Sequence, residues 1–191
     1  MDKFTDPLIE SISLCFGTQI GKTEAELNMI GYALHQTVSP TMMVYPTDTI
    51  AKFASDKRVQ PMIRSVEPLA DMYDESSKLL ELDFVNGNYM VLVGANSPSS
   101  LSSRSIKYLF FDEIDKYPAF SGKEANPIKL AEERTKTFVD KKIVRVSTPT
   151  IESGNIWQSY MGANERKQYY VPCPHCGVSQ TLKFKQIKWP E

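Results

Sequence analysis

Cysteine is scarce in this chain: three residues, at 15, 173 and 176, are an odd number and too few for a disulfide framework. That excludes a small secreted scaffold held by cross-links and points to a reducing compartment. Long apolar runs are also missing. No stretch approaches the ~20 consecutive apolar residues that cross a bilayer, and Met1-Asp2-Lys3-Phe4-Thr5-Asp6-Pro7 has neither the basic start nor the apolar stretch of a secretory leader. Strong charge of either sign is absent too, since 22 Lys and Arg face 23 Asp and Glu, for a net charge of −1. A grip on nucleic acid by whole-surface electrostatics is thereby excluded; any such grip is local or shared among subunits. Internal repeats and low-complexity segments are lacking. What remains, 191 residues of which 41% are hydrophobic, suffices to bury the core of one α/β domain.

Against that plain background, Gly17-Thr18-Gln19-Ile20-Gly21-Lys22-Thr23 stands between a short apolar run (Ile12, Leu14, Cys15, Phe16) and a stretch with helical periodicity. A glycine-rich turn opening a helix leaves backbone N–H groups free to surround phosphates, while a lysine reaches the β and γ oxygens and a hydroxyl holds Mg²⁺. Lys22 and Thr23 take those places. The loop is a variant, because Phe16 occupies the usual place of the first glycine and Gly17 follows one residue late. A partner motif lies downstream. Tyr108-Leu109-Phe110-Phe111 suits a strand buried on both faces of a parallel sheet, and it ends in Asp112-Glu113. Asp112 is expected to hold Mg²⁺, and Glu113 to orient and deprotonate the water that attacks the γ-phosphate.

The hydrophobic pattern alternates strands with helices, so a mainly parallel sheet flanked by helices is expected. Strands are read at 12–16, 41–45, 108–112 and 142–147, and helices at 22–36 and 127–138. A helix with an irregular middle follows Pro46-Thr47-Asp48, and 69–80 reads as helix or loop. Leu82–Val85 and Tyr89–Val93 flank Asn86-Gly87-Asn88, the signal of a small β-hairpin insertion. Residues 94–105, rich in Ser, Asn, Gly and Pro, read as loop.

Ser147-Thr148-Pro149-Thr150 falls at the end of a strand, where a parallel-sheet NTPase presents its ligand contacts. Its other reading is an ordinary turn before a helix. Cys173-Pro174-His175-Cys176-Gly177 is half of a zinc ribbon, with two thiolates on a turn closed by glycine; no cysteine or histidine follows Cys176. Zn²⁺ binding through Cys173, Cys176 and His175 is therefore left open. Trp157, Tyr160, Tyr169 and Tyr170 either stack on nucleic acid or form a small core under the ribbon, the second being expected. Lys136, Lys141, Lys142 and Arg145 read as a solvated charged stretch, and the methionines as core filling.

Taken together, Gly17 to Glu24, Tyr45-Pro46-Thr47, Arg58 ahead of Pro61-Met62-Ile63, Gly94 to Ser97, Asp112 to Pro118, Ser147 to Thr150 and Tyr170 to Gly177 resemble the ATPase domain of the large terminase subunit of tailed bacteriophages, of the lambda GpA type. The resemblance covers almost the whole chain. It implies a RecA-like (ASCE) P-loop ATPase using ATP and Mg²⁺, with Gly17 through Glu24 on the nucleotide, Glu113 as base, and Ser147 to Thr150 as the segment coupling phosphate release to DNA movement. It further implies double-stranded DNA, the small terminase subunit and the portal protein of the procapsid as partners. A homo-oligomeric ring in the host cytoplasm, away from any membrane, completes the picture.

Several features depart from the family pattern. Thr18 stands where many terminases have a basic residue, which leaves Arg58 and Arg104 as the arginines considered for a finger on the γ-phosphate. Residues 1–165 are expected to form the ATPase domain and 166–191 the start of a truncated zinc-ribbon-like segment. A nuclease domain, and an upstream segment supplying adenine contacts, are expected to be absent. Two other readings stay open: a helicase-like DNA-stimulated ATPase, and an inactive nucleotide-binding fragment.

Overall fold

The computed structural model describes residues 1–122, 125–183, 186 and 188. A short helix α1 (Asp2–Thr5) precedes strand β1 (Ser11–Cys15), helix α2 (Lys22–Gln36) and strand β2 (Thr41–Tyr45). Helix α3 (Asp48–Ala54) runs through a π-helical turn (Ser55–Val59) into α4 (Gln60–Ser65), which gives the irregular middle expected of this segment. After α5 (Glu67–Ala70) come β3 (Glu81–Asp83), β4 (Tyr89–Gly94), α6 (Pro98–Ser102) and β5 (Tyr108–Asp112). A 3₁₀ turn (Ile114–Lys116), α7 (Pro127–Glu133), β6 (Lys142–Ser147), α8 (Asn155–Met161) and the small strands β7 (Val171–Pro172) and β8 (Ser179–Gln180) complete the described chain.

Six strands form one sheet in the order β1-β6-β5-β2-β4-β3, parallel throughout except for β3. The fold is thus the mainly parallel α/β arrangement that the sequence implied. All five residues of β2 are buried, as a central strand covered on both faces requires. Met43 and Tyr45 enter the core beneath α2 with Ile30, Leu34, Phe110 and Val146. Met42 and Val44 enter the opposite core with Leu109, Phe111, Ile143 and Ile156. The methionines of β2 are core residues, as expected.

Local chemistry sets the ends of several elements. Thr47 caps α3 by accepting a hydrogen bond from the Ile50 N–H at 3.3 Å. Gly94 closes β4 against that helix start: its N–H donates to Asp48 Oδ1 at 2.9 Å, and a Cβ there would lie 2.3 Å from the Asp48 backbone nitrogen. Only glycine permits this approach. It joins the 45–48 and 94–97 segments at the carboxyl ends of neighbouring strands.

The expected hairpin is formed, with Gly87 at φ 82° in its turn, and its second strand β4 also extends the main sheet by pairing in parallel with β2. Three expectations need correction. The 94–105 loop contains α6, which starts with Pro98 in its first turn, a position that suits proline because the missing N–H has no partner there anyway. Helix α7 stops at Glu133 rather than 138; the Thr135 hydroxyl turns back to the Glu132 carbonyl at 2.8 Å, competing with the helix ladder. The charged stretch is only half solvated. Lys142 is buried and donates to the carbonyls of Asp6 and Ile9, while Arg145 pairs with Glu132.

Candidate active site

The carboxyl ends of β1, β6 and β5 lie side by side: Cys15 is opposite Ser147, and Val146 is opposite Asp112. Three segments far apart in sequence therefore meet at one edge of the sheet. The turn 16–21 leaves β1 exposed to solvent and enters α2 through Gly21 at φ 84°. Among the described residues, the two non-glycine positions with positive φ are Gln19 (57°) and Glu113 (54°), and both lie at this edge. The left-handed region costs roughly 1–2 kcal/mol for such residues. Strain of this kind gathers where function holds it in place.

The contacts converge on Lys22, which is only 8% exposed. Its ammonium lies 2.8 Å from Glu113 Oε1 and donates to Thr148 Oγ1, also at 2.8 Å. Lys116 approaches the other oxygen of Glu113 at 3.3 Å. Burial pushes the Glu113 carboxyl up, but the hydrogen bond and charge of Lys22, joined by Lys116, outweigh it and hold the group below the ordinary carboxylate value. Asp112 is the opposite case. Burial and the neighbouring Glu113 charge push it up to about 6, and its buried Oδ1 has no hydrogen-bond partner.

A residue that the sequence reading missed stands beside them. Glu26 on α2 is fully buried, and neither of its carboxylate oxygens has a partner. Burial first, then Asp112 and Glu113, drive its pKa well above the usual value, and Lys22 offsets part of this. The signal was present in the helical period: Glu26 precedes the buried Ile30 and Ala33 by four and seven residues, on the same stripe. Such a group binds its proton more tightly folded than unfolded, so stability falls as pH rises above the unfolded value near 4.5. Glu26→Gln should match the wild type near pH 5 and exceed it by about 1–3 kcal/mol at pH 8. Thermal unfolding at both pH values reads this directly; a pH-independent gap would refute a buried protonated Glu26.

Other expected residues are placed unequally. Thr23 is half-buried at the start of α2, and Glu24 is exposed. Arg58 is exposed on the π-helical turn, and its charge reaches Asp112 and Tyr45. Arg104 is not brought to this edge. It pairs with Glu81 at 2.7 Å and lies over the Tyr89 ring, beside β3 at the opposite margin of the sheet. Thr150 contacts Asp115, and Ser147 closes β6.

At the carboxyl-terminal end, Cys173 and Cys176 sit on the turn between β7 and β8, tied by Gly177 N–H to the Cys173 carbonyl at 2.8 Å. Backbone hydrogen bonds from Cys176 and His175 lower the Cys173 thiol pKa. Among the described residues, no group of three or more His, Cys, Asp and Glu could hold a metal ion. The small core expected beneath this turn is not formed among them. Tyr169 and Tyr170 are exposed, and Trp157 and Tyr160 are half-buried, their ring centroids 5.8 Å apart. No helix among the described residues is long and apolar enough to cross a membrane.

The chain is 27% identical over 193 residues to the terminase large subunit of Enterobacteria phage P21, covering 96% of this chain and 30% of that protein. It is 24% identical over 197 residues to the terminase large subunit of Escherichia phage lambda, covering 100% of this chain and 31% of that protein. The chain thus spans about a third of the length of these relatives. Its fold matches the large terminase ATPase domain of Thermus phage P74-26, with TM-score 0.64, 19% identity, and coverage of 90% and 72% of the two chains. It also matches the large terminase of bacteriophage D6E in complex with ADP, with TM-score 0.55, 16% identity, and coverage of 79% and 36%. The family described as phage terminase large subunit gpA, ATPase domain, matches residues 1–191, and the chain belongs to it.

Proposed function

We propose that this chain is the ATPase motor domain of a phage packaging terminase, which hydrolyses ATP to drive double-stranded DNA into a procapsid. The observation that carries this reading is the double contact of Lys22, which joins the phosphate loop to the carboxylate turn through Glu113 and to the 147–150 segment through Thr148. A triphosphate entering the 17–24 loop competes for Lys22 as a counter-anion. Transfer of Lys22 to the β and γ oxygens frees Glu113 to orient and deprotonate the attacking water, and at the same moment releases Thr148. Nucleotide arrival is thereby felt in the coupling segment without any further part.

Asp112 and Thr23 are the residues for Mg²⁺. An orphaned, buried carboxylate oxygen at a strand end fits a hard cation with oxygen ligands, and Thr23 offers a hydroxyl at the start of α2. When bound, the ion neutralises charge on the transferring phosphoryl group. Arg58, exposed and electrostatically close to Asp112, is the better placed of the two arginines for a finger. The small terminase subunit, the portal protein and neighbouring copies in a ring are the expected partners in the host cytoplasm.

The test is ATP hydrolysis by this chain with Mg²⁺, with and without duplex DNA. A rate raised by DNA with no strand release supports a translocating motor. Release of a labelled strand favours the helicase-like reading, and nucleotide binding without turnover favours the inactive fragment.

A further inference from the structure

We propose that Asp115 is a positioning residue: it fastens the Glu113 turn to both the coupling segment and the start of α8, so that a change at the nucleotide moves α8. This inference rests on the nucleotide reading above and extends it to a residue and a helix outside the phosphate site.

Asp115 lies two residues past Glu113, in the 3₁₀ turn that begins directly after the strained position. Its two carboxylate oxygens serve different elements. Oδ1 accepts from the Ile156 N–H at 2.8 Å, in the first turn of α8. Oδ2 accepts from the Thr150 N–H at 3.2 Å and from the Thr150 hydroxyl at 3.3 Å. The Asp115 N–H in turn donates to Ser147 Oγ at 3.3 Å. A second bond runs the same way, from the Asn155 side chain to the Ile114 carbonyl at 3.1 Å.

Helix α8 needs this help. Its N-cap position is Gly154, which has no side chain with which to satisfy the free N–H groups of the first turn. Asp115 supplies the cap from another element, with a charge that also suits a helix N-terminus. Gly154 in turn makes room for it: a Cβ there would lie 2.5 Å from Asp115 Oδ2. An ordinary local cap would leave α8 indifferent to the catalytic turn. A cap borrowed from the residue next but one to Glu113 makes α8 follow it.

Hydrogen exchange with and without Mg²⁺ and the β,γ-imido analogue of ATP tests the link. In the wild type the analogue should slow exchange at loop amides 18–23 and change exchange at amides 155–158 by about tenfold. In Asp115→Asn, whose amide nitrogen cannot accept from Thr150, the loop response should persist while the 155–158 response falls below about twofold. Gly154→Ala, which pushes on the same carboxylate from the α8 side, should do the same and decides the matter if the first variant does not fold. A purely structural cap would lower protection of α8 in both states and leave the nucleotide-dependent change intact, which overturns the proposal. A wild-type loop response with no response at 155–158 overturns it as well. No loop response in the wild type is a different result: the nucleotide reading then fails, and the inference falls with it.

Discussion

Replacing Glu113 by glutamine should lower ATP turnover by about 10²–10⁴-fold, the usual contribution of a general base, while changing nucleotide affinity by no more than a few-fold. The variant keeps the shape of the side chain, and its amide oxygen can still accept the hydrogen bond from Lys22 that the carboxylate accepts at 2.8 Å. What is lost is the ability to take a proton, together with the charge that faces Lys22 and Lys116. Of the three carboxyls at this edge, Glu113 is the one held below its ordinary value, because Lys22 and Lys116 outweigh its burial, so it is ionised at neutral pH. Asp112, pushed up to about 6, is the residue proposed for Mg²⁺, and Glu26 is buried away from water. The 20% side-chain exposure of Glu113 gives it the contact with water that Glu26 lacks. Steady-state turnover, beside binding of a fluorescent nucleotide, separates the two effects. Undiminished turnover would move the base to another residue, and weakened binding would mean that Glu113 shapes the phosphate site rather than serving the chemistry.

What the sequence made legible was local order along the chain. The α2 boundaries at 22 and 36, the buried run of β5 and the carboxylates at its end follow from periodicity and from Ser39-Pro40 beyond the helix, and these are observed. Tertiary consequences were less accessible. That β6 lies between β1 and β5, which brings Thr148 to Lys22, depends on strand order, and no single segment encodes it. Glu26 was legible in principle from its place on the apolar stripe of α2, but polarity argued for solvent and the tertiary fold overrode that preference. The same holds for Lys142, whose ammonium finds two backbone carbonyls that a reading by composition cannot foresee. The two arginines show the limit most clearly. Both were equivalent as sequence, yet Arg58 lies exposed on a π-helical turn with its charge felt at Asp112, and Arg104 is engaged with Glu81 beside β3.

Lys22→Ala should weaken nucleotide binding by about 10–10²-fold, the loss expected for one charge-assisted contact in a poorly hydrated site, and reduce turnover at least as much. This pattern differs from that of Glu113→Gln, which spares affinity. The substitution should also destabilise the nucleotide-free protein by about 1–3 kcal/mol, because it leaves Glu113 beside Asp112 and Glu26 with one of its two cations removed. The pH dependence of that loss has a definite sign. A carboxyl whose folded pKa is depressed contributes stability that is present above its unfolded value near 4.5 and is lost as pH falls through the folded value. The gap between wild type and Lys22→Ala should therefore be full at pH 7 and close below about pH 4.5. This is the reverse of Glu26, where the cost of ionisation grows as pH rises. Denaturant unfolding at pH 4 and pH 7 tests it: a gap of equal size at both would mean that the buried pair contributes nothing through charge, and that Lys22 acts on Glu113 only when nucleotide is bound.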